Sequence, residues 1–200
     1  MHISEGVLSG QVLSAGAAMA VAGTAMGLKK IDYDQIVHVA ILASAFFVAS
    51  LIHINIGPAG VHLILNGILG LLLGFAAIPA ILTALLLQSI FFQYGGLTAL
   101  GVNVVIMAAP AVLVHYLFLP LLGRSSKLTF VAGFMAGFFS ILFSCLLLGA
   151  ALWFTDKNFF KTSLTIIITY IPIMVIEGMI TGFCVGFLLK VYPEIIPKKI

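Results

Sequence analysis

The first two residues of the chain, Met1 and His2, could together chelate a metal ion through nitrogen atoms. The α-amine, the backbone nitrogen of His2 and its imidazole Nδ1 would form two fused chelate rings, and the three nitrogens become coplanar once the amide is deprotonated. A fourth nitrogen would complete a square. Square-planar nitrogen ligation favours Ni(II) or Cu(II) and allows Co(II) with adjustment. Zn(II) prefers a tetrahedron, and Ca(II) or Mg(II) prefers oxygen ligands.

His62 is the natural fourth donor, because it is predicted near the outer end of an apolar helix, level with the start of the chain. Asn66 follows four residues later, a spacing that would place both side chains on one helix face. We expect Asn66 to make a helix–helix hydrogen bond or to orient the ligand, since a ligating histidine usually has such a partner.

The remaining polar residues of the apolar segments are functional candidates, because polar groups inside a bilayer are costly. Glu177 is the only acid deep within a predicted span, and it could be either a buried hydrogen-bond anchor or a functional group. His53 ends the predicted second helix at the interface and could support the metal site. The set is completed by Asn103 and by His38 and His115, two histidines expected to be structural.

The composition predicts that these residues are positioned by a membrane protein. Of the 200 residues, 62% are hydrophobic and 8% are charged, whereas soluble domains carry about 25% charged residues. Apolar stretches of about twenty residues recur along the chain, as in polytopic membrane proteins. We expect one domain over residues 1–200, surrounded by the lipid bilayer.

The apolar stretches predict an all-α bundle of about seven transmembrane helices. Their expected limits are about 6–28, 35–53, 60–75, 79–93, 98–122, 128–154 and 163–190. The third and fourth are too short to cross a bilayer without tilt, since a span needs about 20 residues. Together with the NIGPAG stretch before them, they predict irregular backbone at membrane depth, which is tolerated only where protein or a cavity covers it.

The basic residues predict the orientation of the bundle. With seven spans, seven Lys and Arg residues fall on one side and two on the other, so the first side is expected to be cytoplasmic and the N-terminus outside. The first group contains Lys29, Lys30, Arg124, Lys127, Lys190, Lys198 and Lys199, and the second contains Lys157 and Lys161. No basic run is longer than two residues, so nucleic acid is not an expected partner.

Four stretches together closely resemble the CbiM/NikM family, the membrane substrate-binding (S) components of energy-coupling-factor transporters for nickel and cobalt. They are MHISEGVLSG, HINIGPAGVHLILNGILGLLLG, LLLQSIFFQYGGLTALGVN and PIMVIEGMITGF. The resemblance extends from Met1 to about Glu194. It implies that Met1 and His2 fold back into the bundle and bind the metal ion together with His62.

The resemblance also implies a substrate and partners. The sequence IGPAGVHLILNG is similar to the nickel-type branch, so Ni²⁺ is the expected substrate, with Co²⁺ for cobalamin synthesis as the alternative. The implied partners are a transmembrane coupling subunit, cytoplasmic ATPase subunits and a small accessory membrane subunit. The chain has no G-x-x-x-x-G-K-[ST] phosphate loop and is therefore not the ATPase. The implied location is the plasma (inner) membrane of a prokaryote.

Two other classes of function can be weighed against this one. A stand-alone secondary metal transporter would need a coupling group, for which Glu177 is the only obvious acid. An intramembrane metalloenzyme is disfavoured, because the chain contains no HExxH pair. The first apolar stretch has no basic region ahead of it, so it is not expected to be a cleaved signal, and Met1 is expected to remain.

Overall fold

The computed structural model describes residues 2–32, 35–51, 53–56 and 59–195, and for residues 53–56 and 59–62 the backbone alone. These residues form seven α-helices and one short β-hairpin. The helices are α1 (Gly10–Leu28), α2 (Ile36–Ala49), α3 (Asn66–Leu73), α4 (Ala77–Phe92), α5 (Leu100–Phe118), α6 (Ser126–Thr155) and α7 (Phe160–Val191). The strands are β1 (His53–Ile56) and β2 (Ala59–His62). The predicted all-α bundle is confirmed, with the hairpin as an addition.

Most of the helical stretches are suited to a bilayer. Five are long and apolar enough to cross a membrane, whereas Ile36–Ala49 is shorter. The five are Gly10–Leu28, Asn66–Phe92, Leu100–Leu121, Ser126–Thr155 and Lys157–Val191. Large apolar side chains such as Val21, Phe154 and Phe187 are exposed around the bundle, as expected for groups that face lipid. The chain is a multi-pass membrane protein.

Short helix α3 runs beside α5 towards the end of the bundle opposite the N-terminus. Gly70 packs on the backbone of Ala111, and Gly74 packs on the His115 ring four residues further along α5. Gly74 has a φ of +55°, a conformation that favours glycine. The chain reverses there, and α4 returns towards the N-terminal end. The stretch Asn66–Phe92 is therefore a half-length helix followed by a longer one.

The region between α2 and α3 differs from the sequence prediction. Helix α2 ends at Ala49 and α3 begins at Asn66, so the helices expected to reach His53 and to start at Gly60 are both shorter. His53 and Gly60 instead lie in the antiparallel hairpin. The sequence contains β-branched residues on both sides of Gly57-Pro58, which favour strands, and proline disfavours helix in the residue before it.

The two longest helices, α6 and α7, pack closely through small residues. A Cβ on Gly137 would lie 2.5 Å from the Glu177 carbonyl oxygen, and one on Gly133 would lie 2.9 Å from the Gly182 Cα. Their four-residue spacing allows the two backbones to approach closely, as in other membrane helix pairs. These glycines therefore serve packing within the bundle, whereas a Cβ on Gly186 would meet open space.

Candidate metal centre

The three predicted metal ligands are described to different extents. Met1 lies outside the described residues. His2 is half-buried, and its ring stacks on Tyr94, with ring centroids 6.0 Å apart and planes inclined by 24°. The Nε2 atom of His2 is inaccessible to solvent. His62 is described by its backbone only, at the end of β2, where it is the register partner of His53.

Asn103 in α5 holds the backbone directly after His2. Its Oδ1 accepts a hydrogen bond from the Ile3 N–H at 2.9 Å, and its Nδ2 donates one to the Ile3 carbonyl at 3.1 Å. Asn103 is 2% exposed and Ile3 is 5% exposed. The side-chain amide thus pairs with Ile3 as a neighbouring β-strand would. The start of the chain is fixed inside the bundle with both backbone polar groups of Ile3 satisfied.

The connection between α4 and α5 makes room for the N-terminal segment because it contains two glycines. A Cβ on Gly95 would lie 2.6 Å from Asn103 Nδ2, and one on Gly96 would overlap the Glu5 side chain. Both glycines have positive φ, +76° and +81°, a conformation that other residues rarely adopt. The QYGGL stretch is therefore shaped to cover residues 2–5.

Glu5 makes a second attachment of the N-terminal segment. Its carboxylate accepts hydrogen bonds from the Thr98 N–H at 3.0 Å and from the Thr98 hydroxyl at 3.2 Å. Both bonds lower the pKa of Glu5 below its ordinary value, and the bond from the Thr98 N–H has the larger effect. Further along, the Ser9 N–H donates to the Thr155 hydroxyl at 3.2 Å. Residues 3–9 are thus held to α5, to the turn before it and to α6.

Glu177 in α7 holds the backbone that follows His62. Its carboxylate accepts hydrogen bonds from the N–H groups of Ile64 and Leu65, the latter at 3.0 Å. Glu177 and Ile64 are fully buried, and Leu65 has a φ of +58°. These two N–H groups directly precede α3, so Glu177 supplies partners for the backbone at the entry to this helix. These contacts are those of a hydrogen-bond anchor.

Asn66 and His62 do not share a helix face, because His62 lies in a strand and Asn66 is the first residue of α3. The prediction from their four-residue spacing is therefore wrong. Asn66 is fully buried, and its Nδ2 donates to the Ser144 hydroxyl of α6 at 3.3 Å. This is a contact between helices, one of the two roles expected for Asn66.

The other two histidines lie away from the N-terminal segment. The Nδ1 of His115 donates to the carbonyl oxygens of Gly70 and Leu71, at 2.9 and 3.2 Å, near the end of α3. His38 stacks on Tyr192, with ring centroids 6.1 Å apart. Within the described part of the chain, no three or more His, Cys, Asp or Glu side chains form a group that could hold a metal ion. The predicted donor set draws only two imidazoles from side chains and takes its other nitrogens from the backbone.

Comparison with known proteins identifies the family. The CbiM model, described as the cobalt uptake substrate-specific transmembrane region, matches residues 2–195. The chain belongs to the CbiM family. The family resemblance of its motifs is thereby confirmed, and the chain is a membrane protein of a metal-transport family.

Relatives along the full length agree with this assignment. A protein of Haemophilus influenzae, provisionally described as a metal transport protein, is 41% identical over 99% of this chain and 98% of its own length. The cobalt transport protein CbiM of Sorangium cellulosum is 28% identical over 99% of this chain and 95% of its own. A crystal structure of a transition metal transporter has the same fold, with a TM-score of 0.79 and 22% identity, covering 96% of this chain and 93% of that one.

The Glu177 anchor predicts the effect of replacing this residue on the entry to α3. We expect Glu177→Leu to lower the free energy of unfolding by about 1–3 kcal/mol for each buried N–H left without a partner. Denaturant unfolding in detergent measures this loss, and hydrogen exchange locates it at residues 64 and 65. Glu194→Leu, at an exposed position, is the matched control. Unchanged exchange at both amides would contradict the anchor role.

The Glu5 attachment predicts a pH dependence of N-terminal docking. Because the folded pKa is lowered, the attachment is fully present above the ordinary glutamate pKa and is lost as the pH falls from there through the lowered value. Hydrogen exchange of the Ile3 amide, measured without metal and corrected for intrinsic rates, should report this loss. In Glu5→Gln that pH-dependent step should be absent. The same step in both proteins would show that Glu5 is not its cause.

Proposed function

We propose that this protein is a membrane receptor that captures Ni²⁺ through the Met1 α-amine, the His2 backbone nitrogen and Nδ1, and the His62 imidazole. The observation that carries the proposal is the docking of the N-terminal segment, in which Ile3 is buried and paired with Asn103. A terminus that was loose in solvent could chelate a metal ion but could not present it to a donor from another part of the chain.

The path of the chain towards His62 supports its role as the fourth donor. Ser50, just after α2, accepts a hydrogen bond from Gln88 at 2.6 Å, close to the end of α4 from which the QYGGL stretch leaves. The hairpin follows Ser50, and its second strand leads to Ile64, where Glu177 holds the chain. Along the chain, His62 thus lies between Ser50, near the end of α4 that leads to the QYGGL stretch, and Ile64, held by Glu177.

Nickel is the preferred substrate because four nitrogens in a plane suit its d⁸ ion, and cobalt is the alternative. Relatives carry both kinds of name, such as the cobalt transport protein of Sorangium cellulosum and a fused nickel transport protein of Rhodobacter capsulatus. Copper binds such nitrogens more tightly than either metal. Selection in the cell must then depend on the geometry of the site and on which metal is available.

The receptor would serve as the S component of an ATP-driven importer, with a transmembrane coupling subunit, cytoplasmic ATPase subunits and a small accessory membrane subunit. The chain has no phosphate loop of its own, and a tight planar site needs work to release its ion. It would lie in the plasma (inner) membrane of a prokaryote, as one domain with the N-terminus outside. For a proton-coupled transporter, the carboxylate of Glu177 would have to exchange protons, but it is engaged by two backbone amides.

The ligand set predicts that nickel binding requires the α-amine of Met1. Four alanines added before Met1 should reduce nickel affinity at least about 100-fold, because they move the α-amine out of the chelate, and His62→Ala should weaken binding by removing one ligand. A single added residue would not serve, because its amine, two amide nitrogens and the His2 Nδ1 would themselves form a planar site. Equilibrium dialysis with elemental analysis measures both. Four alanines added after Ile200 and His38→Ala are the controls and should bind nickel normally. Undiminished binding in both test variants would refute the site.

The proposed role as an S component predicts that transport requires the partners and ATP. Liposomes that contain this chain alone should bind nickel without accumulating it, even under a pH gradient. Co-reconstitution with the coupling and ATPase subunits should give uptake that stops when a non-hydrolysable ATP analogue replaces ATP. Nickel accumulation by the chain alone, driven by the pH gradient and abolished by Glu177→Gln, would instead favour secondary transport.

A further inference from the structure

We propose that Asn103 is a positioning residue of the metal site, which aims the N-terminal chelate at the donor supplied by the rest of the bundle. The inference rests on the proposed function. Asn103 does not touch the metal ion in this scheme. It acts through the backbone of Ile3, to which it makes two reciprocal hydrogen bonds.

The need for such a residue follows from the geometry of the chelate. The α-amine, the His2 nitrogen and Nδ1 form a five-membered and a six-membered ring, which fix the metal ion relative to residues 1 and 2. Nothing in those rings fixes the direction of the open fourth position relative to the rest of the protein. That direction is set by how the peptide group after His2 is held, and this is the group that Asn103 contacts through the Ile3 N–H.

Several contacts make Asn103 a rigid support. The residue is 2% exposed in the first turn of α5, and both ends of its amide group are used. Gly95 packs against its Nδ2 side, where a Cβ would be only 2.6 Å away, and the same Cβ would be 3.5 Å from the His2 Cβ. The amide therefore has little freedom to rotate, and neither does the chain that it holds.

A loosened support should leave three of the four nitrogens in place. In Asn103→Leu the local chelate of residues 1 and 2 can still form, but its fourth position is no longer aligned with His62 and takes water instead. Nickel affinity should fall about 10- to 100-fold, the loss expected when a residue that orients a metal ligand is removed. Asn103→Asp keeps an acceptor for the Ile3 N–H but loses the donor to its carbonyl, so a smaller loss is expected.

The test is a double-mutant cycle, because an alignment effect and a general structural effect combine differently with His62→Ala. Nickel affinity is measured for the wild type, Asn103→Leu, His62→Ala and the double variant, with Asn103→Asp replacing Asn103→Leu if the latter does not fold. If Asn103 acts by alignment, the double variant binds no more weakly than His62→Ala alone. If the two losses multiply, the inference is overturned.

Copper gives an independent spectroscopic readout of the same site. Electron paramagnetic resonance of bound Cu²⁺ should show four nitrogen ligands in the wild type and three in Asn103→Leu, with a mixture of the two in Asn103→Asp. Thr129→Val is the matched control, since Thr129 is a buried residue (3% exposed) that accepts a backbone hydrogen bond from Gly123 in the loop before α6. It should keep four nitrogens. Four nitrogens in both Asn103 variants would overturn the inference.

The experiment separates this inference from the proposed function. Equal nickel binding by wild type and His62→Ala would remove the proposed ligand set, and the alignment role with it. A loss in His62→Ala with wild-type affinity in both Asn103 variants would leave the ligand set standing and overturn the alignment role alone.

Discussion

The whole arrangement depends on hydrogen-bond partners for backbone that is not helical inside an apolar bundle. A helix satisfies its own amides and carbonyls, but an irregular segment at membrane depth has no water to bind. The backbone at Ile3 and at Ile64–Leu65 is irregular in this way, and each stretch has a polar side chain from a long helix. Asn103 pairs with Ile3, and Glu177 accepts hydrogen bonds from Ile64 and Leu65. Without these two residues, the segments on either side of the proposed site would have unpaired polar groups in a dry interior.

The same constraint explains how so short a helix as α3 persists. Eight residues span only about 12 Å, and isolated helices shorter than about 12 residues are marginal. Glu177 supplies acceptors at its entry, and His115 donates to the carbonyls of Gly70 and Leu71 near its end, the first of which also accepts from the Gly74 N–H. Gly70 meanwhile lets α3 lie directly against α5. A half-length helix held at both ends keeps the preceding segment, and the hairpin before it, at a defined depth.

The sequence predicts the helices well where a long apolar run is bounded by charge or by capping residues. Helices α1 and α4 to α7 lie within four residues of their expected limits. The sequence does not predict the hairpin, because its β-branched residues continue the apolar run of α2. They also do not alternate with polar residues, which is the pattern that indicates a strand. The supposed shared face of His62 and Asn66 fails for the same reason, since an i, i+4 argument holds only within a helix.

In the candidate site too, features that depend on neighbouring residues can be predicted from the sequence, and contacts between distant residues cannot. The metal chemistry of Met1 and His2 depends on neighbouring atoms and can be predicted from residue types alone. The pairing of Asn103 with Ile3 joins residues a hundred positions apart, and no local pattern indicates it.

The proposed donor set suits a bundle with only 8% charged residues. A donor set built from a terminal amine, a backbone amide and two imidazoles needs no buried carboxylate, and a deprotonated amide offsets one of the ion's two charges. The chain can then hold a divalent ion among apolar helices while burying few ionisable side chains, provided that the terminus is held as firmly as a side chain on a helix would be.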